Sequence, residues 1–261
     1  MMTQGKHSHK IYGESPFNNN NNNNLTQEKT MNIAIILAGG SGTRLGGERP
    51  KQFLSIAGKM VIEHTIEAFH RNSRIDEIAI VCRNDFLLEM HDMVNRNNYT
   101  KVKHILSGGK ERYHSSLAAL NIYKDSNDLL LFHDCVRPLV TDKIINDCLD
   151  ALQTYDAVEA AVPATDTIVE VDSEGRICRI PKRSSLRNVQ TPQGFRQGVI
   201  AEAFRRALSD PAFFPTDDCS VVFAYMPESS IAVVAGDTNN IKITYKEDLA
   251  FAERILSARK Q

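Results

Sequence analysis

From Asn32 onward the chain alternates short apolar runs, rich in β-branched residues, with longer stretches whose apolar positions recur at helical spacing. Five runs read as strands: "IAIIL" (33–37), "EIAIVC" (77–82), "VKHIL" (102–106), "LLLFH" (129–133) and "AVEAAV" (157–162). Continuous or nearly continuous apolar runs of this kind suit strands covered on both faces. Helical period fills about 61–71, 84–97, 113–123 and 141–154. Strand–helix alternation predicts an α/β fold: a doubly wound, mostly parallel, Rossmann-like sheet with right-handed crossovers.

The rhythm breaks at "DTIVEVDSEGRICRI" (166–180), two β-type runs joined by an Asp-Ser-Glu-Gly turn. This predicts a β-hairpin arm inserted over about 166–190, serving either as a plain edge or as a dimerisation or lid element. Beyond it come a helix at about 196–208, a shorter one near 217–224, the strand "IAVVA" (231–235) and a last helix from Lys246. Thr244 followed three residues later by Glu247 matches a capping box for that helix. Residues 1–30 differ in kind, with seven consecutive asparagines from Asn18 to Asn24. A tract so polar cannot bury enough surface to offset its ordering entropy. It is expected to lie outside the fold, leaving 31–261 as a single domain whose functional start is Met31.

Composition narrows the function. Basic and acidic residues nearly cancel, at a formal net charge of -1, so the chain is not expected to hold nucleic acid by bulk charge, and any anion must meet a local site. No run reaches the 18 to 20 apolar residues, roughly, of a membrane span, and the N-terminus lacks the apolar core of a secretion signal. Cys82, Cys135, Cys148, Cys178 and Cys219 show no Cys-x-x-Cys spacing. They read as reduced, small core residues, and the protein as cytoplasmic.

Candidate chemistry concentrates in "LAGGSGTRLGGERPKQF" (37–53), directly after the first strand, where open α/β sheets bind ligands. Its glycines let backbone N–H groups approach an anion, and Arg44 and Lys51 supply charge, which together suit a phosphate-rich ligand. It is not a P-loop, because Gly42 to Gly47 is followed by Glu48 and not by Lys. Nor is it the dinucleotide fingerprint, whose third glycine would stand at Leu45.

With "GGKERYHSS" (108–116), "HDCVRP" (133–138), "DT" (166–167), "QTPQGF" (190–195), "TDD" (216–218) and "NIKIT" (240–244) in order, the chain resembles a family of cytidylyltransferases. That family holds the methylerythritol-phosphate enzymes and the ribitol-5-phosphate enzymes, and the resemblance covers about residues 32–256. It implies attack by an acceptor phosphate oxygen on the α-phosphorus of CTP, giving a CDP-alcohol and pyrophosphate. An acceptor phosphate is already ionised at neutral pH, so cations and Mg2+, not a general base, carry the work.

By the same resemblance Arg44, Lys51 and Lys242 are catalytic cations, and Ala38, Gly39, Gly40, Ser41, Gly42 and Thr43 cradle the triphosphate and base. Gly108 and Gly109, with Arg112 and Ser115, select cytosine, unless Ser115 is simply a helix cap. Asp134 is the expected Mg2+ ligand and touches substrate, and Arg137 either binds ligand or braces Asp134. Thr167, Arg183, Thr191 and Thr216 grip the acceptor, with Arg183 reaching across a homodimer formed by the arm; a solvated hairpin end is the plainer reading of Lys182 and Arg183. The methylerythritol enzymes usually carry Asp where this chain has Asn239, so Asp237 becomes a substitute metal ligand. That departure favours D-ribitol 5-phosphate as acceptor, with 2-C-methyl-D-erythritol 4-phosphate as the alternative. A sugar-1-phosphate nucleotidyltransferase and a non-catalytic nucleotide-binding subunit are further alternatives.

Overall fold

This structure is a computed structural model and describes residues 30–40 and 49–259; the asparagine-rich segment lies outside them. The chain enters through β1 (Asn32–Ala38), turns through the small hairpin of β2 (Ser55–Ile56) and β3 (Lys59–Met60), and continues into α1 (Val61–Arg71). Next come β4 (Glu77–Cys82), α2 (Leu87–Arg96), β5 (Val102–Ser107), α3 (Arg112–Leu120), β6 (Leu129–Asp134), α4 (Asp142–Ala151) and β7 (Ala157–Pro163). The arm holds β8 (Glu170–Val171) and β9 (Ile177–Arg179), after which β10 (Arg187–Arg196) returns to the sheet. The chain closes with α5 (Gln197–Ala207), α6 (Asp218–Tyr225), β11 (Ile231–Ala235) and α7 (Lys246–Ala258).

Seven strands form one sheet in the order β11-β7-β10-β6-β1-β4-β5. β10 is antiparallel to both neighbours, β6 and β7, while the other pairings are parallel. The doubly wound α/β fold is therefore as expected, with β10 as an addition. "QTPQGF" does not read as a strand, because Gln, Thr, Pro and Gly interrupt it. Tertiary pairing overrides that weak local preference. The register of β10 against β7 shifts between Val189 and Gln193, so Gln190, Thr191 and Pro192 leave the regular ladder.

The continuous apolar strands are explained by two cores, one on each face. Ala34 and Ile36 of β1 pack with Ile62, Ile66 and Phe69 of α1 and with α2, α4 and α7. Ile33, Ile35 and Leu37 face the other way, among Phe132, Phe195 and residues of α3, α5 and α6. Four of the cysteines are buried as expected; Cys178, on β9 of the exposed arm, is a correction to that reading. So is the cap of α7. Asp248, not Glu247, accepts from the backbone N–H groups of Thr244 (2.7 Å) and Tyr245 (2.8 Å), because Tyr245 occupies the capping position. The predicted helix 84–97 begins with a 3-10 turn at Asn84–Phe86.

Gly194 on β10 is hemmed in by side chains of the two flanking strands and by Leu152 at the end of α4. A Cβ there would lie 2.7 Å from Val158 Cγ1 and 2.8 Å from Leu131 Cδ2. Gly194→Ala is expected to cost about 1–3 kcal/mol through overpacking, read as a lower urea midpoint at constant m-value. An unchanged midpoint would mean that the strand moves aside freely.

Candidate active site

The chain reverses direction across the sheet at β1: β4 and β5 extend to one side, and β6 returns to the other. Open α/β sheets bind ligands at such a switch, outside the carboxyl ends of the strands. A cavity of 540 Å³ lies there. Gly39 and Gly40 follow β1, Arg83 follows β4, Gly109 follows β5, and Asp134 ends β6, so four adjacent strands deliver residues to its wall.

Lys51 begins a 3-10 turn, Lys51–Phe53, set by Pro50 and anchored by buried Phe53, whose ring lies 4.9 Å from Phe86. Its ammonium donates to the carbonyl of Ile243 (2.7 Å), so the lysine of the glycine loop is tied to the residue beside Lys242. Lys242 in turn stands 2.9 Å from Asp134 Oδ2. The segment carrying it is stitched to the segment after β6. Ile243 N donates to Val136 O (2.9 Å), and Arg137 Nη1 donates to Asn240 O (2.8 Å). Two lysines almost two hundred residues apart in sequence thus line one cavity with Asp134.

Burial opposes ionisation of Asp134, but the charges of Lys242, Arg112 and Arg137 outweigh it and pull the carboxyl down to about 2. Arg137 lies 3.7 Å from that carboxylate and does not line the cavity, which resolves its two readings in favour of bracing. The Asp134 backbone is held by a chain of hydrogen bonds. Its N–H donates to Thr191 Oγ1 (3.1 Å), which lies 3.0 Å from His133 Nδ1, and His133 Nε2 lies 3.1 Å from Arg137 O. With Nε2–H donating to the carbonyl, Nδ1 is left to accept from the Thr191 hydroxyl, and the neutral tautomer satisfies every member. Burial drives the His133 pKa down to about 4, which keeps the ring in that state. The cavity-lining Cys135 thiol is pushed well up by burial and Asp134, so it is not a nucleophile.

On the opposite wall Ser115 is buried in α3 and is not its cap, which is Glu111. Its hydroxyl lies where a Cβ at Gly108 would come within 2.6 Å and one at Gly39 within 3.2 Å. The glycines therefore let the ends of β1 and β5 close on one small polar side chain. Arg112 pairs with buried Asp218 (2.7 Å), which also accepts from Ser116 Oγ (2.6 Å). Burial opposes the Arg112 charge, yet Asp218 and Asp134 raise its pKa above the ordinary value.

Of the expected site residues, Gly39, Gly40, Gly109, Lys51, Arg112, Ser115, Asp134 and Lys242 gather at this cavity, with Ala38 and Gly108 flanking it. Thr191 stands behind Asp134. Thr167, Arg183 and Thr216 are exposed and do not line it; the Arg183 guanidinium donates to Thr165 O (3.2 Å). Asp237 also lies off the cavity, its Oδ1 accepting from Asn239 N (2.8 Å). Ser41, Gly42, Thr43 and Arg44 lie outside the described residues.

Three further residues belong to the site. Gln52, 1 % exposed, donates to Ala38 O (2.9 Å) and Gly40 O (3.1 Å) and holds the start of the glycine loop. Arg83 adds a cation at the rim, and Asp218 fixes Arg112. Arg83 was findable as the basic residue directly after a strand; the partners of Gln52 and Asp218 are remote in sequence and leave no local signal.

A glycine-flanked, cation-lined crevice at the strand ends of a doubly wound sheet is the architecture of a nucleotidyltransferase. The chain belongs to the IspD family, described as 2-C-methyl-D-erythritol 4-phosphate cytidylyltransferase, whose model matches residues 32–258. It is a cytidylyltransferase. A relative of that name from Thermobifida fusca is 44 % identical over 229 residues, spanning 85 % of this chain and 92 % of its own. The bifunctional ribulose 5-phosphate reductase/CDP-ribitol pyrophosphorylase of Haemophilus influenzae is 41 % identical over 234 residues, 88 % of this chain and 49 % of that protein. Among solved structures, 4-diphosphocytidyl-2C-methyl-D-erythritol synthase from Anaerococcus prevotii superposes with a TM-score of 0.78 at 29 % identity, covering 87 % of this chain and 96 % of that one.

Gln52→Ala would leave two backbone carbonyls at the cavity without their donor, at about 1–3 kcal/mol. The expected outcome is a raised KM for CTP together with a lowered unfolding midpoint. A variant with both values unchanged would remove Gln52 from the site.

Proposed function

We propose that this cavity transfers CMP from CTP to 2-C-methyl-D-erythritol 4-phosphate and releases pyrophosphate. The observation that carries this reading is the meeting of Lys51 and Lys242 beside Asp134 at a glycine-flanked crevice. Two anionic substrates repel each other, and the reaction needs them in line while charge builds on the α-phosphate and the leaving group. In this reading Lys51 and Lys242 neutralise that charge, with Arg44 gripping the triphosphate. Backbone N–H groups of 38–43 cradle the phosphates, while Gly108, Gly109, Arg112 and Ser115 read the cytosine edge, where a larger purine would clash. The acceptor phosphate attacks the α-phosphorus, the bond to the bridging oxygen breaks, and pyrophosphate leaves with that electron pair.

Mg2+ fits as a cation that arrives with CTP. Among the described residues no three His, Cys, Asp or Glu side chains gather to hold a metal. A hard ion bound by one or two carboxylates plus substrate phosphates is the usual Mg2+ pattern. Asp134 would hold it, and the ion would supply charge neutralisation on the phosphates.

Thr167, Arg183, Thr191 and Thr216 would receive the acceptor, Arg183 across a dimer. The exposed Val171, Ile177 and Ile180 of the arm, each more than half accessible, support pairing of two copies. Among the described residues no helix is long and apolar enough to cross a membrane.

Asn239 favoured ribitol 5-phosphate; the names of the matching family and of the Thermobifida relative weigh towards methylerythritol 4-phosphate. The ribitol reading stands second, supported by Asn239 and the Haemophilus relative. Parallel kinetics with the two acceptors, CTP and Mg2+, followed by pyrophosphate release, separate them. At least tenfold higher kcat/KM for methylerythritol 4-phosphate is expected, and Arg183→Ala should raise the acceptor KM while sparing that for CTP. A tenfold preference for ribitol 5-phosphate would establish the second reading, and no pyrophosphate with either acceptor would contradict both.

A further inference from the structure

Behind the segment that follows Asp134 lies a second cavity, of 180 Å³, sharing no lining residue with the first. Pro138 and Val140 form part of its wall, and Lys59, Arg71 and Arg259 bring cations to it from the β3 hairpin strand, the end of α1 and the end of α7. Glu67 is the one carboxylate facing it. Three positive charges therefore meet one negative charge. Glu67 is already engaged, paired with Lys59 and accepting from Tyr99 OH (3.2 Å). Arg71 is exposed and, among the described residues, forms no ion pair within 4.0 Å. Arg259 spends one donor on Leu139 O (3.2 Å), and a guanidinium has five. His64, also on this wall, is buried with Nε2 against Ile56 O (2.8 Å) and adds no free donor there.

The volume equals about six waters at roughly 30 Å³ each, room for one tetrahedral anion with part of its hydration. A surplus of two cations around a space of that size, with guanidiniums that can each give paired N–H donors to adjacent oxygens, matches a phosphate group better than a carboxylate-free apolar ligand. We propose that this cavity is a second anion site, separate from the CTP crevice, for a compact phosphate-bearing ligand of the size of inorganic phosphate or a short phosphomonoester. Its occupant rests against the reverse side of residues 138–140, four to six positions after Asp134. The inference holds whichever acceptor the first site takes.

The test uses the full chain with Lys51→Ala and Lys242→Ala combined, which weakens phosphate binding at the first cavity, and inorganic phosphate as probe. Phosphate at about tenfold excess over its Kd is expected to raise the Tm by about 3–6 °C. Adding Arg71→Glu, an exposed substitution, should abolish that rise; Arg259→Gln, which also gives up the bond to Leu139 O, should abolish it from a lowered phosphate-free Tm. Should Arg259→Gln fail to fold, Arg71→Glu alone decides. No rise in the parent variant, or an equal rise with Arg71→Glu, would overturn the proposal.

Discussion

The arrangement depends on one buried carboxylate surrounded by cations. Asp134 ends β6, where burial alone would favour its neutral form, and Lys242, Arg112 and Arg137 reverse that preference. An ionised carboxylate in such a place is costly unless its partners are fixed. The fold fixes them from three directions: α3 carries Arg112, the turn after β6 carries Arg137, and the segment after β11 carries Lys242. Removing any one support leaves the others with an unbalanced charge, which is why remote segments must dock together before a site exists.

Around this centre the polar groups are linked in chains, not in isolated pairs. Thr191, His133 and Arg137 O steady the Asp134 backbone; Gln193, Asp218, Ser116 and Arg112 steady the opposite wall. Asn240 donates to Thr191 O (2.9 Å), joining the lysine-bearing segment to the irregular part of β10. Hydrogen-bonded networks of this kind rigidify a site, and among the described residues the buried polar side-chain atoms here without a hydrogen-bond partner are Arg137 Nε, which faces Asp134 at 3.7 Å, and Asn240 Oδ1. The departure of residues 190–192 from the ladder gives Gln190 and Thr191 their places in these chains.

Much of the frame was legible in the residues. Apolar runs marked the parallel strands because both faces are covered, and the glycine–lysine loop pointed to the strand end that the topology makes a crevice. Strand β10 escaped, since its pairing depends on neighbours already in place and not on its own composition. The α7 cap went to Asp248 because the choice between adjacent acidic residues depends on which one faces the freed N–H groups. Gln52 and Asp218 were missed for a related reason: a buried amide or carboxylate takes its meaning from partners 12 to 106 positions away. Exposure of Thr167 and Arg183 on a single chain was equally beyond local pattern, because it depends on how the arm projects, and that of Thr216 depends on the course of the connection between α5 and α6.

The central claim is that Lys51, bound to the Ile243 carbonyl, and Lys242, paired with Asp134, act on the same developing charge. A double-mutant cycle in kcat/KM measures this directly. Each alanine substitution alone is expected to lower the value by about 100- to 1000-fold, and the pair together by clearly less than the product of the two, with a coupling of about 1–3 kcal/mol. Losses that multiply to within about 0.5 kcal/mol would show two independent cations and contradict a shared site.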